Sequence, residues 1–331
     1  MYSTKQQAER IPVPPSALQP TTNDIATASR EALVKFGMFL PQREIGHDLQ
    51  NVLGFVEAVD NAGFDFLQAT DHVLGADPSA RPNWDGAYDV HDLFHEQFVF
   101  FGHLAALTKM ELVSAVLILP QRQTALVAKQ AAEVDILTGG RFRLGIGVGW
   151  NDVEYEALNV DFRTRGERCE EQIHVLRRLW TEESIDFTGR FHRIDRAGIL
   201  PRPIQQPIPI WIGGGATKRV LERIGRLGDG WLSGSPPGED TDRAYAIIKN
   251  AAKAVGRLAP PALQLGLRIS TLDAGKFERQ IDACELAGAS HVSLRGDNPI
   301  DHNDPIRTFD QYLEIVDFAA TALGDRLQSN R

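Results

Sequence analysis

A closed (β/α)8 barrel in a single domain is the fold class this sequence predicts, and three observations predict it. Short β-rich runs alternate with longer helical patterns from Lys35 almost to the C-terminus, and eight such units can be counted. One run, ELVSAVLILP (111–120), is nearly all apolar, as expected of a strand buried on both faces. No compositional break marks a domain boundary, and 331 residues suit one large barrel with loop insertions at its C-terminal face. Alternating units imply parallel strands with helical crossovers, and eight of them favour closure over an open sheet.

Taken in order, KFGMFL (35–40) reads as strand one, and DLQNVLGFVEAVDNAG (48–63) as a helix that stops at a glycine. FDFLQATD (64–71) is strand two; a long polar and aromatic loop follows, then a helix from about Asp92 to Thr108. Strand three, 111–120, leads to the helix TALVAKQAAEVDILTGG and to strand four, FRLGIGVGW. TRGERCEEQIHVLRRLW (164–180) is the next helix, and RFHRIDRAGILPRPIQQP reads as an irregular excursion rich in Pro and Arg. IPIWIGG (208–214), GWLSG (230–234), LQLGLRIS (263–270) and HVSLRG (291–296) complete the strands, each followed by a helix. Residues 1–33 read as a flexible N-terminal extension, 34–325 as the barrel and 326–331 as a C-terminal tail.

Composition narrows the function. Hydrophobic residues at 43% and charged residues at 24% fit a soluble globular protein with a large core. Lysine and arginine number 35 against 44 acidic residues, and the resulting charge of −9 argues against a general nucleic-acid binder. Cys169 and Cys284 form no C-x-x-C pair and read as reduced thiols of a cytosolic protein. The N-terminus has charges and prolines where a signal peptide needs an apolar core. No run approaches the roughly 18 apolar residues of a membrane span.

The stretch RFRLGIGVGWN (141–151) raises the question of a nucleotide-binding fingerprint. G-x-G-x-x-G fits in neither register, because the sixth position is Trp150 from Gly145 and Asp152 from Gly147. Alternating glycines in an apolar strand permit close approach by something flat, or simply tight packing. In a barrel, function collects at the C-terminal ends of the strands. That places Gly147, Gly149 and Asn151 after strand four, Asp71 and His72 after strand two, and Gly213, Gly214 and Gly215 after strand five, all at one mouth. HDLFH (91–95) suggests a different chemistry: His91 and His95 at i and i+4 resemble a variant of the zincin pattern, with Asp92 as base of a zinc hydrolase. Aspartate is shorter than the usual glutamate and no third ligand is identifiable.

The segment VLILPQRQTALVAKQAAEVDILTGGRFRLGIGVGWNDVEYEALNVDF, with RGERCEEQIHVLRRLW and PIPIWIGGG, resembles the bacterial luciferase-like superfamily. More narrowly it resembles the actinobacterial branch that uses the deazaflavin coenzyme F420. The resemblance covers about Lys35 to Gly324 and is strongest from Val116 to Trp231. It implies a TIM barrel, an oxidoreductase that transfers a hydride between coenzyme F420 and a small organic substrate, and a ring leaning on a strand-three bulge. By position relative to Pro120, the bulge's non-prolyl cis peptide is expected between Ala115 and Val116. The resemblance gives Gly147 and Gly149 the task of admitting the cofactor. Gly213, Gly214, Gly215 and Thr217, before a helix starting near Ala216, would bind its phosphate. His72 becomes the catalytic residue, with Asp71 and Asn151 beside the cofactor.

Trp84, Tyr88, Phe94 and Phe98 can roof a substrate pocket under a loop spanning Val73 to Val90, or belong to the core. Arg268 and Arg295 can hold an anionic substrate or the polyglutamyl tail of the coenzyme, or pair with carboxylates at the mouth. An FMN-dependent monooxygenase of the same superfamily is the alternative reading. Homodimers are common among the relatives, so a homodimer is expected, with a small molecule as substrate and no nucleic-acid or membrane partner.

Overall fold

The computed structural model of the protein describes residues 33–81, 83–215, 217–296 and 308–328. Apart from Leu33, the expected N-terminal extension lies outside them, as do residues 329–331. Eight parallel strands close into a barrel: β1 Lys35–Phe39, β2 Phe66–Ala69, β3 in two parts (Glu111–Ser114 and Leu117–Ile118), β4 Phe142–Gly147, β5 Ile210–Gly213, β6 Gly230–Leu232, β7 Ala262–Ile269 and β8 His291–Gly296. Each pairs with its neighbour in the chain, and β8 returns to β1 with Phe36 opposite Val292. Both parts of β3 pair with β4, through Leu112 opposite Phe142 and Leu117 opposite Ile146. The expected closed TIM barrel is the observed fold.

Crossover helices α1 Leu49–Ala62, α2 Gln97–Leu104, α3 Thr124–Thr138, α4 Arg165–Thr181, α5 Lys218–Leu227, α6 Glu239–Ala254, α7 Ala274–Leu286 and α8 Phe309–Leu323 surround the strands. Local chemistry sets their ends. Asp48 caps α1 by accepting from the Gln50 N–H at 2.8 Å, and Gly63 ends it in the left-handed region at φ 95°. Helix α2 is shorter than the sequence suggests because Glu96 caps it, accepting from the Val99 N–H at 2.8 Å. The expected excursion after α4 is in part an antiparallel hairpin, Ile185–Thr188 with Arg193–Ala197. Beyond α8, the short helix Asp325–Gln328 buries Leu327 and pairs Arg326 with Asp282.

Strand alternation divides the barrel into two shells. Leu263, Leu265, Leu267 and Ile269 of β7 face the helices and are buried in the core, while Gln264, Gly266 and Arg268 face the axis. The axial shell is filled at its floor. Arg143 reaches Glu111 at 2.8 Å and Gln264 at 3.3 Å, its guanidinium lies 4.2 Å from the Trp211 ring, and Gln264 donates to Gln68 at 2.9 Å. Burial pushes the His291 imidazole down to about 2, so it packs against Phe66 and Trp211 as a neutral ring. This plug fills the barrel floor, and the more exposed axial positions, Gly266 and Arg268, lie toward the C-terminal mouth.

Candidate active site

The mouth is organised around the break in β3. The Ala115–Val116 peptide is cis, where the family resemblance places it. Its two residues are half-buried, whereas Leu112, Val113, Ser114 and Leu117 around them are buried. The ladder continues across the break, since the Ala115 N–H donates to the Ala69 carbonyl at 2.8 Å and the Ser114 hydroxyl to the Gly145 carbonyl at 2.8 Å. A Cβ added at Gly147 would sit 2.5 Å from Cγ2 of Val116, and one added at Gly213 would sit 2.6 Å from Cγ1. Gly149, in the left-handed region at φ 66°, would bring a Cβ to 2.7 Å from Ile118. These glycines were expected to make room for a cofactor. Their missing side chains first make room for the bulge itself, with Val116 wedged between β4 and β5.

Strand two delivers Asp71 and His72 beside that bulge. Asp71 is 1% exposed; one oxygen accepts from Arg122 at 2.8 Å and the other from the Ile118 N–H at 3.3 Å. Burial pushes its carboxyl above the ordinary value, with Arg122 opposing the shift. Asp71 therefore clamps the second half of β3 to β2 through both of its oxygens. The Asn151 side chain accepts from the Val153 N–H and donates to the Leu74 carbonyl, both at 3.1 Å.

The partner of His72 is Glu154, a residue the sequence reading passed over. Glu154 lies in the short helix Asp152–Ala157 after β4 and is fully buried. Its carboxylate faces His72 Nδ1 at 3.2 and 3.3 Å, and accepts from the N–H groups of Val73 at 2.7 Å and Leu74 at 3.1 Å. Gln121 donates to it at 3.0 Å. Burial acts to raise this carboxyl, but hydrogen bonds from His72 and Gln121 outweigh it and hold the pKa below the ordinary value. An ionised carboxylate only accepts, so Nδ1 carries the hydrogen and Nε2 is left for other partners. A signal was present in the sequence: Asn151 with Glu154 three residues on has the spacing of a capping box. Asn151 does cap, but the glutamate turns inward to the loop after β2.

Around His72 lie Tyr88 and Phe94, each with its ring centroid at 4.9 Å, and Trp150 at 5.7 Å. Trp84 joins through Trp150 at 5.7 Å. Of the four aromatics considered for a roof, Trp84, Tyr88 and Phe94 gather around His72 together with Trp150, and Phe98 is buried in the core on α2. Arg43 anchors the roof, stacking on Tyr88 at 4.6 Å and donating to Asp92 at 2.6 Å. HDLFH is irregular chain ahead of α2, so His91 and His95 share no helical face. Asp92 is engaged by Arg43 and the Asp89 N–H, and His95 stacks on Phe100 at 4.8 Å. Among the described residues no group of three or more metal-ligating side chains occurs, so the geometry drawn for zinc hydrolysis is not formed.

Two further clusters complete the mouth. Gly214, Gly215 and Thr217 are exposed at the start of α5, and an added Cβ at Gly215 meets nothing within 4 Å. Helix α5 begins at Lys218, two residues later than expected, and the Thr217 side chain makes no capping hydrogen bond there. Across the barrel, Arg295 lies 5.0 Å over the Phe39 ring and Arg268 is its register partner on β7. A cavity of about 330 Å³ lies between the loop after β2 and α3, lined in part by His72, Arg122, Leu126 and Gln130. It stands apart from the glycine loops.

The fold is a TIM barrel whose candidate functional side chains gather at the C-terminal ends of the strands. Residues 34–274 match the luciferase-like monooxygenase family, and the chain belongs to it. An uncharacterised protein of Mycobacterium tuberculosis is 32% identical over 236 residues, covering 70% of this chain and 76% of the relative. The FMNH2-dependent dimethylsulfone monooxygenase of Pseudomonas putida is 31% identical over 198 residues, covering 58% of this chain and 53% of that enzyme. An F420-dependent secondary alcohol dehydrogenase, solved with an F420-acetone adduct, superposes with a TM-score of 0.70. That match covers 88% of this chain and all (100%) of the dehydrogenase, and at 15% identity it shows the fold alone.

Proposed function

We propose that this protein is an oxidoreductase that transfers a hydride between coenzyme F420 and a small organic substrate in the barrel mouth. The observation that carries the proposal is the imidazole of His72, fixed by buried Glu154 beside the β3 bulge. The residues present fit the coenzyme. Gly214 and Gly215 offer open backbone next to the uncapped start of α5, suited to a phosphate. Half-buried Ala115 and Val116 offer a bent backbone surface for one face of a planar ring.

When bound, the coenzyme supplies a two-electron hydride carrier, the part of the chemistry a protein side chain cannot perform. The chain does the rest. Glu154 holds the Nδ1 hydrogen of His72, so Nε2 can give or take the proton that balances hydride transfer to or from a carbonyl. Asp71 and Arg122 hold β3 in place behind the ring. Tyr88, Phe94 and Trp150 keep water from the imidazole, whose side chain is 6% exposed.

A second reading, an FMN-dependent monooxygenase, is favoured by the FMNH2-dependent relative at 31% identity. The glycine loop would serve the FMN phosphate equally well. The two separate on oxygen. Under argon, with a panel of carbonyl and enone compounds, the protein is expected to oxidise reduced F420, followed by recovery of ring absorbance. Turnover seen with reduced FMN and oxygen alone would replace the first reading by the second.

A further inference from the structure

The cavity of about 330 Å³ beside the mouth is walled by the loop after β2, the chain ahead of α2, the turn before α3 and α3 itself. Neither Ala115, Val116 nor the glycines of β4, β5 and the α5 start line it, so it is not the surface offered to a cofactor ring. Its volume is that of a small-ligand cleft. Val127 and Leu158 give it an apolar wall, and Leu126 stands at its rim, 52% exposed.

Two polar atoms on its lining residues lack a partner. Gln121 is 5% exposed, and the Glu154 carboxylate beside it can only accept, so the amide nitrogen of Gln121 faces Glu154 at 3.0 Å. The Oε1 atom of Gln121 is buried and makes no hydrogen bond with any described residue. Arg122 gives its terminal nitrogens to Asp71 at 2.8 Å and Glu96 at 3.1 Å, and its buried Nε likewise has no acceptor among the described residues. A buried acceptor and a buried donor left unmade each cost free energy. Arg122 is the one arginine or lysine in the lining and two carboxylates already share it, which disfavours an anion there.

We infer that this cavity is a second small-molecule site and that its ligand is a neutral amide or lactam on an apolar body. One planar amide carries both missing partners: its N–H donates to Gln121 Oε1, and its carbonyl accepts from Arg122 Nε. The apolar body lies against Val127 and Leu158 and runs out past Leu126. The site stands on Gln121 and Arg122 whichever cofactor the mouth takes, so it does not rest on the proposed function. The same two side chains hold Glu154 and Asp71, so occupancy would bear on His72 and on the second part of β3.

The test uses the full chain with N-methylbenzamide as probe, titrated by saturation-transfer NMR of the ligand. Wild type is expected to bind it saturably with a Kd of about 1 mM, the scale of a fragment. Methyl benzoate has the same shape without the N–H, and benzoate carries a charge. Both are expected to bind at least about tenfold more weakly, the first because Gln121 Oε1 stays unpaired and the second because Asp71 and Glu96 lie beside it. Leu126→Trp sets an indole over the cavity from an exposed position and is expected to abolish binding with an unchanged unfolding midpoint. No saturable binding by wild type overturns the site, as does an ester or benzoate that binds as well as the amide. Equal binding to wild type and Leu126→Trp also overturns it, and so does displacement of the probe by F420 or FMN, which would put the probe in the mouth. The comparison of the three compounds uses wild type alone and decides the matter should Leu126→Trp fail to fold. Failure of wild type to bind F420 would count against the proposed function and leave this comparison standing.

Discussion

Replacing Gly147 by alanine sets a methyl carbon 2.5 Å from Cγ2 of Val116, well inside van der Waals contact. Valine cannot turn away. Its χ1 is stiff, and the other methyl already lies where a Cβ on Gly213 would come within 2.6 Å. The overlap must be relieved by moving β3 or β4, and overpacking of that kind costs about 1–3 kcal/mol. Unfolding midpoints should fall by about 2–5 °C. Removing the offending methyl should undo the damage. Val116→Ala alone is mildly destabilising, and Gly147→Ala/Val116→Ala should recover most of the loss, a coupling of about 1–3 kcal/mol in the double-mutant cycle. Chemical denaturation of the four proteins measures it. Effects that add to within about 0.5 kcal/mol would refute the wedge and return Gly147 to the role of admitting a ligand.

His72→Ala should lower turnover by at least about 100-fold while F420 still binds; recovery with His72→Asn would mean that the ring is positioned and not protonated. Steady-state rates with any substrate found in the panel decide it. Gly215→Asp puts a carboxylate at the start of α5 in open space, so F420 affinity should drop at least about tenfold with an unchanged unfolding midpoint. Gly214, at φ 148°, would confuse charge with backbone strain. Glu154 has a folded pKa below its ordinary 4.5, so its contribution to stability is full above that value and lost as pH falls through the folded one. The stability gap between wild type and Glu154→Gln should therefore stay level above the ordinary value and close as pH falls below it; a gap that stays constant below it contradicts the ionised acceptor role.

The barrel was legible because its signal is periodic: eight apolar runs, each followed by a helical stripe, leave few alternatives. The bulge was legible through resemblance alone, since nothing in SAVLI distinguishes Ala115–Val116 from ordinary strand. Glycine identity showed that something approaches β4 closely; that the neighbour is Val116 depends on strand register, which the sequence does not print. Glu154 was hidden for a similar reason. NDVEYEAL reads as a polar surface helix, and its burial comes from a loop some 80 residues earlier in the chain. The hairpin after α4 was hidden by charge, because RFHRIDR sets an arginine at every third position along a strand that lies mostly outside the core. Phe98 shows the converse: an aromatic close in sequence to the roof turns into the core because α2 starts at Gln97.

The choice of a deazaflavin at this mouth is tested most directly by equilibrium titration of the purified protein with oxidised F420 and, separately, with FMN, following ring fluorescence. Saturable binding of F420 at least about tenfold tighter than FMN, a difference of about 1.4 kcal/mol, and weakened in Gly215→Asp, is the result expected. Tighter binding of FMN, or F420 binding indifferent to Gly215→Asp, would contradict it.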